Sequence, residues 1–321
     1  MLGVPICHCF FSLSSFLSRK KKDFLKAISQ SLSRYNSYML NLVPLESVDY
    51  LVIGHVAHDL TPEGPRLGGT VTYSALTAHA LGLRVGVVTA AGRETSLEAL
   101  NGISVISIES PQSTTFENIY TEQGRVQYLR AQARHLDFVS VPEVWRRTPI
   151  IHIGPIANEV DSVLPKDFSS ALWGVTPQGW MRQCDEAGLV SRREWENAEP
   201  ALQKADAVVM SREDVNGDDE LIEHMAHQTR ILVVTESDAG CVLHWNGDRR
   251  RFRAPQVHEA DATGAGDIFA AAFFIRLYKT RDPWEAARFA TLIATRSVTR
   301  IGLAGIPTSH EIEASLMEIL Q

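Results

Sequence analysis

The residues Asp261-Ala262-Thr263-Gly264-Ala265-Gly266-Asp267 set a glycine-rich turn between two carboxylates and lead straight into an uncharged apolar run, Ile268 to Ile275. With Arg276, Leu277 and Tyr278 that run is long enough for a buried helix. Gly264 and Gly266 allow a tight turn and a close approach to the main chain. The first N–H groups of a helix lack internal partners and lie at the positive end of its dipole, so they attract anions, phosphate above all. Asp267 would repel a resting phosphate, yet it is well placed to take a proton from a hydroxyl that attacks one. An anion cradle with a base beside it points to phosphoryl transfer. The structural alternative is an ordinary helix start, where Asp is favoured. Two other phosphate motifs are excluded. No G-x-x-x-x-G-K-[ST] occurs, and G-x-G-x-x-G/A fails at Phe269.

This stretch, continued by Ile268-Phe269, resembles the C-terminal signature of the PfkB (ribokinase-like) family of sugar and nucleoside kinases. The resemblance implies an α/β fold with a mostly parallel central sheet, helices on both faces and a small β lid. It implies an ATP-dependent kinase acting on a hydroxyl of a small sugar, an inositol-like polyol or a nucleoside. Asp267 would be the base, and the main chain of Gly264, Ala265, Gly266 and Asp267 would steady charge on the transferred group. A protein that kept the fold and binds its ligands without turnover is the alternative.

The elements that must position these residues follow in order. Asp49 to Gly54 is a short β-rich run read as a buried strand, with Asp59 beyond its carboxyl end, where ligands bind in open α/β sheets. Asp59 resembles the family's carboxylate that holds two substrate hydroxyls. A metal site at His55, His58 and Asp59 is disfavoured by their crowding at one strand end. Gly68-Gly69 before a helix ending near Gly82 resembles the family's first signature. Tyr73 stands where many relatives have Asn, which turns the expectation from a five-carbon sugar toward a ring substrate, unless Tyr73 simply packs in the core. Gly68, Gly69, Tyr73 and Asp59 are thus the expected acceptor residues. Strands are expected at Arg84–Ala90 and Ser104–Glu109, and a hairpin at Thr114–Tyr120 and Arg125–Gln132. The lid is placed near 60–67 and 114–132.

Short apolar strands at Ile150–Ile153, Leu172–Thr176, Ala207–Met210 and Ile231–Thr235 alternate with helical segments such as Asp218–His227, which argues for a parallel sheet covered on both faces. Thr176 to Trp180 reads as a substrate-side loop. Ser211 and Asp214 stand where the family usually has Asn and Glu around Mg²⁺. Both offer oxygen, and the shorter Asp suits contact through water. Thr235 and Gly240 match the nucleotide-side T-x-G-x-x-G turn, with Ser237 replacing a glycine. Thr263 and Gly264 are further expected nucleotide contacts, and Asp261 could hold a monovalent cation, K⁺, as in several relatives. Helices from Pro283 to Val298 and from Ser309 close the chain.

The chain has 321 residues, 45% of them hydrophobic, with a net charge of -7, so a nucleic-acid role lacks electrostatic support. Cys7, Cys9, Cys184 and Cys241 form no disulfide or zinc spacing, which fits a reducing compartment. No uncharged apolar run reaches membrane-spanning length. Residues 1–38 carry six basic residues and one acid, a net +5 that leaves the remainder at -12. Residues 1–47 are therefore read as an extension, disordered or absent from the mature protein, with the kinase domain at 48–321. A start placed too early, with Met39 the true initiator, is favoured over an organelle transit peptide. The expected protein is cytoplasmic, monomeric or homodimeric, with a small-molecule acceptor and ATP as its partners.

Overall fold

A computed structural model describes residues 45–317 apart from 63, 122, 123 and 171. The expectations for residues 1–38 lie outside the described residues. Nine strands form the main sheet in the order β15-β14-β13-β12-β9-β8-β1-β4-β5. They are β1 (Tyr50–Ile53), β4 (Val85–Ala91), β5 (Ser104–Glu109), β8 (Ile150–Ile153), β9 (Leu172–Val175), β12 (Ala207–Ser211), β13 (Ile231–Thr235), β14 (Cys241–Trp245) and β15 (Asp248–Phe252). From β13 to β5 all neighbours are parallel; β14 and β15 add an antiparallel hairpin at one edge. The outermost β15 is protected from further pairing by Arg249, Arg250 and Arg251, all exposed.

Both faces of the sheet are buried. Along β1, Tyr50 and Val52 enter one hydrophobic cluster while Leu51 and Ile53 enter the other, as the two-residue period of a strand requires. The first cluster takes in helices α1 (Thr70–Ala80), α4 (Ala265–Thr280) and α5 (Pro283–Ser297). The second takes in α2 (Ala198–Lys204) and α3 (Asp219–Gln228). A last helix, α6 (Ser309–Met317), follows α5. Helix α4 is the central one: Ile268 to Ile275 are all buried, and each large apolar side chain there contributes about 1.5–3 kcal/mol. Its close seat depends on Gly174 of β9, where a Cβ would lie 2.6 Å from the Phe274 ring. Pro283 opens α5 at its first turn, and Asp282 caps it by accepting from the N–H groups of Trp284 and Glu285.

A second, four-stranded sheet has the order β3-β2-β6-β7, from β2 (Ala57–Thr61), β3 (Gly64–Gly68), β6 (Thr114–Thr121) and β7 (Gly124–Ala131). A two-stranded ribbon, β10 (Arg182–Cys184) with β11 (Val190–Arg192), joins it through a bridge between Leu189 and Tyr128 and a bond from the Leu129 N–H to the Gly188 carbonyl at 2.8 Å. His55, just before this sheet, is no metal ligand. Its Nε2 donates to the Arg134 carbonyl at 2.8 Å, which leaves Nδ1 to accept from the Thr114 hydroxyl at 2.7 Å. Among the described residues no helix is long and apolar enough to cross a membrane.

Candidate active site

Asp267 lies in the first turn of α4, after Gly264 has entered the left-handed conformation at φ 77°. Its Oδ1 accepts from the Thr70 hydroxyl at 2.7 Å, and its carbonyl accepts from the Ser74 hydroxyl at 3.2 Å. Thr70 and Ser74 are one turn apart on α1, so one helix face fixes the base. The close approach of Thr70 depends on Gly154, where a Cβ would lie 2.5 Å from the Thr70 methyl. Burial raises the Asp267 carboxyl to about 6. The Thr70 bond and the Arg182 charge oppose that shift, while Asp59 and Asp214 add to it. The helix end does not set the balance; the packed surroundings do. The group is still mainly ionised at neutral pH, near the value at which a general base works best.

The cradle differs from the expected one in one respect. The Ala265 N–H turns back to the Ala262 carbonyl at 3.2 Å. Among the described residues the N–H groups of Gly266 and Asp267 meet no acceptor, and a Cβ at Gly266 would meet nothing within 4 Å. Open space thus lies over two free donors. Tyr73, 3% exposed, closes the other side: its ring packs so tightly on Gly264 that a Cβ there would overlap it. The tyrosine is a wall of the site more than an open platform.

Asp59 lies within β2, not in a loop after β1. Its carboxylate sits against Gly68 of β3, where a Cβ would overlap it, and 4.0 Å separates that Cβ position from the Tyr73 ring. Gly69 (φ 86°) then opens α1. Asp59, Gly68, Tyr73 and Gly264 therefore form one continuous wall leading to Asp267. Asp59 pairs with Arg66 on β3 and with Phe116 on β6, and Phe116 pairs with Leu129 on β7. These four share one row across the small sheet. Arg182 of β10 donates to the Ile156 carbonyl at 3.2 Å and holds its guanidinium 5.7 Å from the Phe116 ring centre.

A cavity of about 440 Å³ opens between the ends of β12 and β13, lined by Ser211, Arg212, Thr235, Glu236 and Ser237 among others. Ser237 takes the left-handed conformation at φ 49°, one that glycine adopts without steric cost, at the position where the T-x-G-x-x-G pattern has glycine. Gly240 serves packing, since a Cβ there would overlap the Phe252 carbonyl. Ser211 and Asp214 form a reciprocal cap. Ser211 Oγ accepts from the Glu213 N–H, and Asp214 accepts from the Ser211 N–H at 2.8 Å and from Gln178 at 3.1 Å. Asp261 accepts from the N–H groups of Thr263 at 2.9 Å and Gly302 at 2.8 Å. Burial works to raise its carboxyl, but these bonds prevail and lower it.

Residues 190–309 match the family model described as pfkB family carbohydrate kinase. The chain is similar to that family over this segment, which holds the signature running from Asp261 to Asp267. It is a phosphotransferase acting on a hydroxyl group, and its relatives are kinases of small sugars, inositol and nucleosides. It is 27% identical over 265 residues to a cytidine kinase of Thermococcus kodakarensis, covering 75% of this chain and 92% of that one. It is 31% identical to an inositol 3-kinase of Zea mays, over 28% of this chain and 23% of that protein. A pyrophosphate-dependent kinase in the ribokinase family superposes with a TM-score of 0.71 at 22% identity, over 83% of this chain and 99% of that one, and shares the fold. Within the chain, Asp267, Gly264, Gly266, Asp59, Gly68 and Tyr73 come together, and Thr235, Ser211 and Asp214 lie on the neighbouring strand ends. Sequence reasoning missed Thr70, Ser74 and Arg182. The first two left a faint signal, two hydroxyl residues one turn apart on the helix after Gly68-Gly69; Arg182 left none.

Proposed function

We propose that the chain transfers the γ-phosphoryl group of ATP to a hydroxyl of a small sugar, polyol or nucleoside. One observation carries this reading: a half-enclosed carboxylate, Asp267, stands beside two unpaired N–H groups under open space. Asp59 would orient the acceptor by taking two of its hydroxyl protons in charge-assisted bonds. Thr70 holds one oxygen of Asp267, which leaves the other to take the proton of the attacking hydroxyl. As the new O–P bond forms, the bond between the γ-phosphorus and the bridging oxygen breaks and ADP leaves. The N–H groups of Gly266 and Asp267, with Arg182, meet the charge on the transferred group. Thr235, Thr263, Gly264 and Gly240 would flank the donor. The small sheet, which includes residues 60–67 and 114–132, would act as a lid that keeps water from competing as acceptor. The catalytic domain on this reading is 48–321.

Among the described residues no three metal-ligating side chains converge. That suits Mg²⁺ held chiefly by the donor's phosphates, with Asp214 and Ser211 touching its waters. Bound there, the ion would neutralise part of the phosphate charge. A monovalent cation beside Asp261 and nearby main-chain oxygens belongs to the same proposal. Asp214→Ala should raise the Mg²⁺ concentration needed for half-maximal rate and spare acceptor binding. Because Asp214 also caps the turn after β12, the variant should lose about 1 kcal/mol of stability. An unmoved Mg²⁺ titration in a destabilised variant would leave Asp214 a cap only.

The test of the whole reading is ADP release from the full chain with ATP and Mg²⁺ against ribose, fructose, myo-inositol and cytidine. Pyrophosphate replaces ATP in a parallel series read by orthophosphate release, since a protein of the same fold depends on it. ADP release with at least one acceptor is expected. Turnover with pyrophosphate alone would overturn the choice of donor, and none with either donor would overturn the kinase reading.

A further inference from the structure

We propose that the acceptor carries an anionic group, a phosphate or a carboxylate, besides the hydroxyl that is phosphorylated, and that Arg192 binds it together with Arg182 and Arg66. The inference rests on the kinase reading and narrows its substrate class.

Three arginines gather on the acceptor side of the site. Arg66 stands in the row Arg66-Asp59-Phe116-Leu129 across the small sheet. Arg182 lies over Phe116, next to Asp59 in that row, and near enough to Asp267 to act on it through space. Arg192 lies directly opposite Arg182 in the antiparallel ribbon, so the two guanidinium stems leave the same face. Val190, on that face too, packs on the cluster of Ala57, Phe116 and Ile156, so the face is the one turned toward the acceptor wall.

Two like charges placed directly opposite in a ribbon destabilise it unless an anion meets them. Asp59 stands opposite Arg66 and answers that charge within the row. Arg192 is half-buried, and among the described residues its guanidinium makes no hydrogen bond or ion pair. Arg66 and Arg182 lie within reach of Asp59, Asp261 and Asp267, so the surplus charge at this place is that of Arg192.

The donor does not account for the surplus. Its phosphates would lie between the free N–H groups of α4 and the cavity at the ends of β12 and β13, whereas the ribbon is joined to β7 of the small sheet. Arg182, on β10, can reach toward the transferred group, while Arg192 stands opposite it on β11, on the side of the ribbon that is joined to β7. Planar guanidinium groups that converge from neighbouring strands suit the paired oxygens of phosphate or carboxylate.

The experiment compares matched acceptors with the full chain: ribose and ribose 5-phosphate, cytidine and cytidine 5′-monophosphate, glucose and gluconate. ADP release and calorimetric binding are read separately. We expect kcat/KM for an anionic member to exceed that of its neutral partner by about ten-fold or more, as a charge-assisted contact allows. Arg192→Gln should shrink that ratio by about ten-fold while the melting temperature holds. The phosphate and gluconate pairs separate the two sources of negative charge. Neutral members turned over as well as anionic ones, or a ratio that Arg192→Gln does not move, would overturn the inference and leave the kinase reading intact. If no acceptor is turned over, the kinase reading fails, and binding decides this point alone. Binding of an anionic member that needs Arg192 upholds the anion site; equal binding of both members, or of neither, overturns it.

Discussion

Asp267→Asn is expected to lower turnover by about 10²–10⁴-fold, the usual share of a general base. Asn keeps the oxygen that accepts from Thr70, so the geometry of the α1–α4 contact should survive. ATP affinity should hold or rise slightly, because a negative charge beside the γ-phosphate is gone. The same change should stabilise the fold at neutral pH. The wild-type carboxyl titrates at about 6 in the folded chain against 3.8 when unperturbed, chiefly through burial. A raised carboxyl favours the folded state below the unperturbed value, and that advantage is lost as pH rises through 6. Above 6 the ionised group is a liability which Asn removes. The side chain keeps some contact with solvent, so the gain is about 1–2 kcal/mol after discounting the shift for screening. Wild-type kcat/KM should fall with unit slope below about pH 6, and the residual rate of the variant should lack that limb. A residue that only caps α4 would behave differently, since Asn caps about as well as Asp. Near-normal turnover in Asp267→Asn would remove the base from the mechanism.

Much of this was legible in the chain because apolar periodicity and glycine placement are local. The run Ile268–Ile275 after Gly264 announced α4, and the short apolar segments at Ile150, Leu172, Ala207 and Ile231 announced the parallel strands. The hairpin β14–β15 had a readable signal that went unused. Asn246-Gly247 between two strands adopts positive φ at both positions, 52° and 80°, as a two-residue hairpin turn requires. Other features had no local signal. The ribbon β10–β11 consists of two three-residue strands, mostly polar, too short for any alternation to show. The Thr70–Asp267 bond joins residues 197 positions apart, and the pairing of Arg182 with Arg192 depends on the register of that ribbon. The proton affinity of Asp267 had no local signal either. A helix end is visible in sequence, but the packing that surrounds the carboxyl is assembled from α1, the small sheet and the ribbon.

Gly264→Ala is expected to cost both stability and rate. The residue sits at φ 77°, where a Cβ meets the following carbonyl and costs about 1–2 kcal/mol. That Cβ would also overlap the Tyr73 ring, which is buried and has no free space to move into. Overpacking of this kind adds about 1–3 kcal/mol. Relief can come only from a shift of the loop or of α1. Either shift re-aims the Gly266 and Asp267 N–H groups and moves Thr70 from the base. Loss of one such donor typically lowers kcat by about 10²–10³-fold. Gly266→Ala makes the contrast. Its Cβ would meet no protein atom within 4 Å, and Ala is the better helix former, so the fold should gain slightly. The methyl group would nevertheless stand in the space assigned to the phosphoryl group, and turnover should fall. The two variants thus separate packing from ligand space: both slow, one less stable and one more. Measuring kcat and melting temperature on the same preparations decides between the readings. If Gly266→Ala turns over normally, the space above it is not where the phosphoryl group passes. If Gly264→Ala melts with the wild type, Tyr73 does not fix the loop.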